Sequence, residues 1–201
     1  MYRVVLNINE EKNEDDKMRK LISTLFLLSF IAITNECFLQ NTLDLGNQAP
    51  AINITDWITN VPSNQTLAGQ NIVLEFWATW CGGCIDAVPH LNELQSHFNQ
   101  DEVLFLSMTD ESPEKVNGLL ERIHFESTVV LDQDAITHAN YGENGAVLKA
   151  IPKTILIDKK GIVRWIGHPN ELSKHLIEQL VRDEDITFCL LYTSPSPRDR
   201  G

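Results

Sequence analysis

A run of mostly apolar residues that begins at Asn71 ends directly in a Cys-x-x-Cys pair, Cys81 and Cys84. The apolar character of the run predicts a buried strand. Beyond the pair, apolar side chains recur at helical spacing, at Ile85, Val88, Leu91, Leu94 and Phe98. The two cysteines are therefore predicted at a corner where a strand gives way to a helix.

This corner predicts reactive thiol chemistry. The first turn of a helix has unpaired N–H groups and a partial positive charge, and both stabilise a thiolate. Cys81, just before the helix, is expected to ionise more readily than a free cysteine and to act as the nucleophile. Cys84 is expected to be shielded and to act as the resolving thiol. The alternative is half of a zinc site, but the sequence has no second Cys or His pair to complete it, so no metal is predicted.

The residues around the pair extend this interpretation. Trp77-Ala78-Thr79-Trp80 precedes Cys81-Gly82-Gly83-Cys84, and Pro89 and then Leu91-Asn92-Glu93-Leu94 follow. This pattern resembles the thioredoxin superfamily and, within it, the TlpA/ResA-like extracytoplasmic thiol-disulfide oxidoreductases. The resemblance covers about Leu45 to Val181. It implies an α/β fold with a thioredoxin-like mixed central sheet flanked by helices. The sequence departs from the family at Gly83, where a proline is usual.

The resemblance implies a role for Glu75, an acidic residue in the otherwise apolar run. In the family this position commonly holds a buried carboxylate beneath the two cysteines. Burial raises the pKa of a carboxyl group, so Glu75 is expected to take the proton of Cys84 as that thiol attacks a mixed disulfide. The alternative is an acid at the edge of the sheet whose carboxylate reaches solvent.

Two further positions are expected to contact substrate. Ile151-Pro152 matches the family's cis-proline, which packs against the active-site pair, and the backbone of Ile151 is expected to pair with an extended substrate segment. The alternative is a trans proline that opens a strand. Trp80 is expected to be partly exposed and to offer apolar surface to a protein substrate, with simple packing as its alternative.

Hydrophobic periodicity and turn residues predict one thioredoxin-like domain over residues 45–183, with alternating strands and helices. A leading strand or hairpin arm is expected within 52–58. The other predicted strands are 71–77, 103–108, 129–131, 153–157 and 162–166, and the predicted helices are 83–99, 113–123, 135–141 and 171–181. This order predicts a mixed sheet covered by helices.

The charge balance excludes some classes of partner. The chain has a net charge of −12, and the segment from Phe38 to Phe188 carries 21 acidic and 9 basic residues. Such an acidic domain is a poor partner for nucleic acid or for an anionic membrane surface. Of the four cysteines, only Cys81 and Cys84 belong together, so no structural disulfide is predicted.

Both ends of the chain are expected to differ from the domain. Residues 1–17 are polar and acidic and are interpreted as an upstream over-extension. Residues 18–37 open with Met18-Arg19-Lys20 and continue into an apolar run, the pattern of a signal peptide, or of an N-terminal membrane anchor if it is not cleaved. Cys37 lacks the small preceding residues of a lipid-anchored cysteine. Residues 189–201 match a translated sequencing adaptor and are excluded from the predicted fold; a natural Pro/Ser-rich tail is the alternative.

Together these features predict an exported enzyme, periplasmic or in the cell envelope, that reduces or exchanges disulfides in partner proteins. No cofactor is predicted, and a membrane electron donor is expected to restore the dithiol. Two alternatives stay open. A thiol peroxidase shares the fold, although Thr79-Trp80-Cys81 lacks the spacing of its nucleophile pocket. A Cu(I)-binding chaperone or docking module would use the soft thiolates as ligands.

Overall fold

The computed structural model describes residues 43–142 and 151–184, so the predictions for 1–17, 18–37 and 189–201 concern parts of the chain outside these residues. The strands are β1 (Asp56–Thr59), β2 (Ile72–Phe76), β3 (Leu104–Thr109), β4 (Thr128–Leu131), β5 (Lys153–Ile157) and β6 (Val163–Gly167). The helices are α1 (Gly82–Gln95), α2 (Pro113–Leu120), α3 (Ile136–Gly142) and α4 (Lys174–Val181).

The described strands form one mixed sheet in the order β1-β4-β3-β2-β5-β6. β2, β3 and β4 are parallel, because α1 and α2 return the chain between them. The remaining strands pair antiparallel with their neighbours. The predicted α/β fold, a thioredoxin-like mixed central sheet flanked by helices, is confirmed, and β2 lies in its interior.

Alternation of side chains along β2 divides the core into two layers. Leu74 and Phe76 belong to the layer that includes Tyr141 of α3. Val73 belongs to the opposite layer, where it clusters with apolar side chains of α1 and α4, and Trp77 clusters there with Cys84 and with residues of α1 and α2. Glu75 lies between Val73 and Trp77, so the alternation directs its side chain into the layer beneath α1.

The closing helix is shorter than the sequence predicts. The segment 171–181 is not one helix, because a 3-10 turn occupies Pro169–Glu171 and α4 begins only at Lys174. The Ser173 hydroxyl accepts a hydrogen bond from the N–H of Leu176 at 3.3 Å. A serine in this capping geometry has extended backbone angles, which separates the turn from the helix.

The helix after the cysteines and the leading strand also differ from their predicted bounds. α1 ends at Gln95, because the Ser96 hydroxyl donates to the carbonyl of Glu93 at 2.7 Å and competes with the helical ladder. Only Asp56–Thr59 is a strand, antiparallel to β4. The polar residues before this strand make hydrogen bonds outside the sheet: the N–H of Asn53 donates to the hydroxyl of Thr137 at 2.7 Å.

Candidate active site

The two cysteines lie where the sequence predicts, at the corner between β2 and α1. Cys81 is the N-cap of α1, with extended backbone angles, and its sulfur accepts a hydrogen bond from the N–H of Cys84 at 3.2 Å. The two sulfurs form a disulfide, 2.15 Å apart. Cys84 is 1% exposed and Cys81 is 7% exposed, so Cys81 is the more accessible residue of a buried pair. This geometry gives a Cys81 thiolate both the helix dipole and a backbone donor.

The two tryptophans before the pair have opposite environments. Trp77 is buried, and its ring packs against that of Phe125 with centroids 4.8 Å apart. Trp80, adjacent to Cys81, is 74% exposed. The exposure predicted for Trp80 is thus confirmed, whereas contact with a substrate stays a prediction. An exposed indole beside a reactive sulfur offers apolar surface to a partner.

Glu111 holds the loop between the tryptophans, and sequence analysis missed it. Its carboxylate accepts hydrogen bonds from the backbone N–H of Thr79 at 2.5 Å and from the Thr79 hydroxyl at 2.9 Å. Glu111 is nearly buried, and Lys115 approaches it at 3.7 Å. Glu111 lies two residues after the end of β3, which is parallel to β2, and the carboxyl ends of parallel neighbours meet at one edge of the sheet. Glu111 therefore ties the loop that carries Cys81 to the next strand.

Glu111→Ala is expected to lower the free energy of unfolding by about 2 kcal/mol, because hydrogen bonds to a charged acceptor contribute about 1.5–3 kcal/mol each and water replaces part of that. For a domain of this size the melting temperature falls by roughly 4–8 °C. Thermal denaturation of the oxidised protein measures the change. Lys115→Ala is the matched control, since the lysine side chain is 67% exposed and an ion pair with a solvated partner at 3.7 Å contributes at most about 1 kcal/mol. Equal melting temperatures in the two variants would contradict the role of Glu111.

Glu75 is buried in the middle of the sheet, 2% exposed. Its Cα partners are Ser107 on β3 and Thr154 on β5, both buried. The Ser107 hydroxyl donates to Oε2 of Glu75 at 3.2 Å, while Oε1 is buried without a hydrogen-bond partner among the described residues. Burial raises the pKa of Glu75 to about 8, although the hydrogen bond from Ser107 lowers it in part. The alternative of a solvent-reaching acid at the sheet edge is therefore wrong.

The Ile151-Pro152 peptide bond is cis, as predicted, and directly precedes β5. A Cβ atom placed on Gly83 would lie 3.7 Å from Cδ of Pro152, which puts this proline against the first turn of α1. Ile151 is partly buried and packs on the cluster that contains both cysteines. The structure thus brings Pro152 and Ile151 to the disulfide. Pairing of Ile151 with a substrate strand stays a prediction.

These residues together supply a thiol-disulfide site. The pair can alternate between dithiol and disulfide at the start of a helix and beside an exposed indole. The core layer beneath that helix holds Glu75, whose pKa is raised by burial to about 8. Within residues 43–142 and 151–184, no three His, Cys, Asp or Glu side chains converge as metal ligands.

Comparison with known proteins agrees with this site. The model of the AhpC/TSA family matches residues 45–166, which include both cysteines and Pro152. The chain belongs to the AhpC/TSA family. The matched residues, 45–166, contain the strand-to-helix corner, Glu75 and Glu111. α4 lies after the matched residues.

Individual relatives indicate a narrower group of proteins than the family does. It is 29% identical over 149 residues to thiol-disulfide oxidoreductase ResA of Geobacillus kaustophilus, covering 73% of this chain and 82% of that protein. It is 27% identical over 138 residues to thioredoxin-like protein YneN of Bacillus subtilis, covering 67% and 76%. The crystal structure of the thioredoxin-like superfamily protein SPOA0173 superposes with a TM-score of 0.55 at 26% identity, covering 67% of this chain and 96% of that one. The predicted TlpA/ResA-like resemblance is confirmed.

Proposed function

We propose that this chain is an exported thiol-disulfide oxidoreductase that reduces or exchanges disulfides in partner proteins through Cys81 and Cys84. The observation that carries the proposal is the placement of the pair: Cys81 caps α1, and Pro152 lies against the same helical turn. Relatives named as thiol-disulfide oxidoreductases support the same chemistry. The functional roles of Glu75, Trp80 and Ile151 are part of the proposal.

The reaction begins with the pair reduced. The Cys81 thiolate attacks one sulfur of a substrate disulfide; a Cys81–substrate bond forms, and the substrate's other sulfur leaves as a thiolate that takes a proton from water. Cys84 then attacks the Cys81 sulfur, which forms the Cys81–Cys84 disulfide and releases the second substrate thiol. The substrate gains two electrons and the enzyme loses two.

Glu75 supplies the base for the second step. Cys84 is almost completely buried, so its thiol has no direct contact with bulk water to which it can lose a proton. The carboxyl group of Glu75 lies in the same buried layer, and with its pKa near 8 it accepts and returns a proton at neutral pH at little cost. The net charge of this layer then does not change as Cys84 loses its proton.

Export and membrane coupling complete the proposal. The signal that begins at Met18 directs the domain out of the cytoplasm, as a cleaved peptide or an anchor, and a membrane electron donor then returns two electrons to the disulfide. These segments lie outside the described residues. Among residues 43–142 and 151–184, no helix has the length and apolar composition to cross a bilayer.

The test is a stoichiometric exchange between the reduced full chain and a model protein disulfide such as insulin. One Cys81–Cys84 disulfide is expected to form for each substrate disulfide reduced, at a rate that depends on Cys81. Equilibration with a glutathione buffer then gives the reduction potential, which decides the net direction of exchange. Rapid oxidation by one equivalent of peroxide without protein exchange would favour a thiol peroxidase. A 1:1 Cu(I) complex that survives dialysis, again without exchange, would favour a copper chaperone.

Trp80→Ala is expected to raise KM for a protein substrate about tenfold with kcat little changed, because a buried interface tryptophan contributes upward of about 1 kcal/mol to binding. Steady-state reduction of a protein disulfide measures both constants. Val61→Ala is the matched control: Val61 is also exposed, but it lines a groove with Gln95 and Ser96 at the opposite end of α1. An unchanged KM in Trp80→Ala would remove this side chain from the substrate surface.

A further inference from the structure

A line of buried hydroxyl groups extends from Glu75 across the sheet. The Ser107 hydroxyl donates to Oε2 of Glu75 at 3.2 Å, and the oxygens of Ser107 and Ser127 lie 2.7 Å apart. Ser107 is 1% exposed and Ser127 is 4% exposed. Glu75, Ser107 and Ser127 also line one small void with apolar side chains that include Leu91 of α1. The line therefore lies beneath the helix that carries the cysteines.

The chemistry of hydroxyl groups gives this line a direction. Each serine has one hydrogen to donate. When Glu75 is ionised, Ser107 donates its hydrogen to Oε2, so the short contact between the serines has Ser127 as the donor. Hydrogen bonds in such a chain polarise one another in a low dielectric. Ser127 therefore acts on Glu75 without touching it.

The two carboxyl oxygens of Glu75 are consequently not equivalent. Oε2 is held by Ser107, whereas Oε1 is fully buried and has no partner among the described residues. We propose that Ser107 and Ser127 are positioning residues for Glu75: they hold Oε2 as an acceptor, so that Oε1 receives the proton of Cys84. In this step the S–H bond of Cys84 breaks, an O–H bond forms at Oε1, and the electron pair stays on sulfur. The inference rests on the proposed function of the cysteine pair.

Other titratable groups do not explain the behaviour of Glu75. β3 and β4 contain no charged residue, and Lys153 of β5 is the partner of Phe76, so the alternation places it on the other face of the sheet. The titratable side chains of α1 besides the cysteines are Asp86, His90 and Glu93. Asp86 and Glu93 are exposed, and Nε2 of His90 lies 2.9 Å from the carbonyl oxygen of Leu172. The hydroxyl of Thr154, the Cα partner of Glu75 on β5, is buried but makes no hydrogen bond among the described residues. Ser107 is thus the side chain that hydrogen-bonds to the buried carboxyl, and Ser127 acts through it.

The test titrates Glu75 directly in the oxidised protein, in which Cys81 and Cys84 do not titrate, by following its labelled side-chain carboxyl carbon by NMR. Ser107→Ala is expected to raise the midpoint by roughly one pH unit, since a hydrogen bond to a charged group contributes about that much. Ser127→Ala is expected to raise it by a smaller step in the same direction. Ser107→Thr keeps the hydroxyl and is expected to restore the parent midpoint.

Thr128→Ala is the matched control. Thr128 is as buried as the serines and adjoins Ser127, but its hydroxyl donates to the carbonyl of Asn60 at 2.8 Å. Its loss is expected to leave the Glu75 midpoint unchanged. If Ser127→Ala moves the midpoint no more than Thr128→Ala does, the chain is only structural and the proposal is overturned. Should Ser107→Ala not fold, Ser127→Ala and Ser107→Thr decide the same question.

The carboxyl titration and the thiol reaction are measured separately, so the two proposals can fail independently. In single-turnover experiments, the pH midpoint for release of the mixed disulfide is expected to follow the NMR midpoint in each variant. If the NMR midpoints shift as expected but the release rate does not follow them, the serines position Glu75 and transfer of the Cys84 proton to Oε1 is overturned. A protein that exchanges no disulfides but shows the shifts would overturn the proposed function alone.

Discussion

Cys84→Ser is expected to accumulate covalent adducts with partner proteins through Cys81 and to reduce turnover by roughly a thousandfold or more, as loss of a nucleophile does. Cys81 caps α1 and is the more accessible residue of the pair, so it still attacks a substrate disulfide, whereas serine cannot resolve the product. Non-reducing electrophoresis of the variant, expressed as the full chain with the proposed export signal that begins at Met18, measures the adducts. They are expected to disappear when a reductant is added.

The controls separate the two cysteines of the pair from the others in the chain. Cys81→Ser is expected to form no adducts, because Cys84 is almost completely buried. The double variant Cys81→Ser/Cys84→Ser retains Cys37 and Cys189 and reports any background from these residues. If Cys81→Ser captures partners as efficiently as Cys84→Ser, the assignment of Cys81 as the nucleophile fails.

Glu75→Gln is expected to slow release from the mixed disulfide by roughly a hundredfold at pH 7, within the range for loss of a general base. Attack by Cys81 is expected to change little, because that sulfur is stabilised by the helix terminus and the backbone N–H of Cys84. Rapid-quench measurement of the two steps, with a substrate disulfide in excess, separates them. An unchanged release rate would remove Glu75 from the reaction.

The same substitution is expected to change how stability depends on pH. The pKa of Glu75 is about 8 in the folded protein, whereas its ordinary value is 4.5. Between these two pH values the folded protein therefore holds a proton that the unfolded chain has lost. Stability therefore falls as pH rises from about 4.5 to 8, by about 4 kcal/mol from this group alone. Glu75→Gln removes this pH-dependent loss of stability. At pH 9 the oxidised variant is therefore expected to have a higher free energy of unfolding than the oxidised parent.

Chemical denaturation of the oxidised protein at pH 5, 7 and 9 measures this effect without titration of Cys81 or Cys84. Glu121→Gln is the matched control, because Glu121 is exposed at the end of α2 and the substitution removes the same charge. It is expected to keep the pH dependence of the parent. A Glu75→Gln variant with that same dependence would contradict a neutral, buried carboxyl group.

Much of the fold and the corner could be predicted from local pattern. The apolar run, the cysteine spacing and the helical periodicity are all short-range signals, and β5 has the bounds that the sequence predicts. Helix ends were less predictable, because the Ser96 hydroxyl competes with the helical ladder and the Ser173 hydroxyl caps α4, and neither effect leaves much trace in hydrophobic periodicity. The resemblance to thioredoxin-like proteins supplied the cis bond before Pro152, which periodicity does not encode.

Glu111 and Ser107 could not be assigned in this way. Glu111 bonds to Thr79 and Ser107 bonds to Glu75, each across 32 residues of chain. In sequence, Glu111 is one acidic residue among many in an acidic protein, and Ser107 interrupts an apolar strand without a sign of its partner. Parallel pairing of β2 and β3 makes both contacts, since it sets residues in register that local patterns treat as unrelated.

The sequence by itself determined that a sulfur pair would stand at the beginning of a helix, because strand, corner and helix are each encoded by neighbouring residues. Only the tertiary structure decided the surroundings of that pair. The position of β2 in the interior of the sheet removes Glu75 from water, and the strand register places Ser107 beside it and Glu111 beside the preceding loop. The physical reason is that burial and strand register depend on contacts between distant segments, which exist only once the chain has folded.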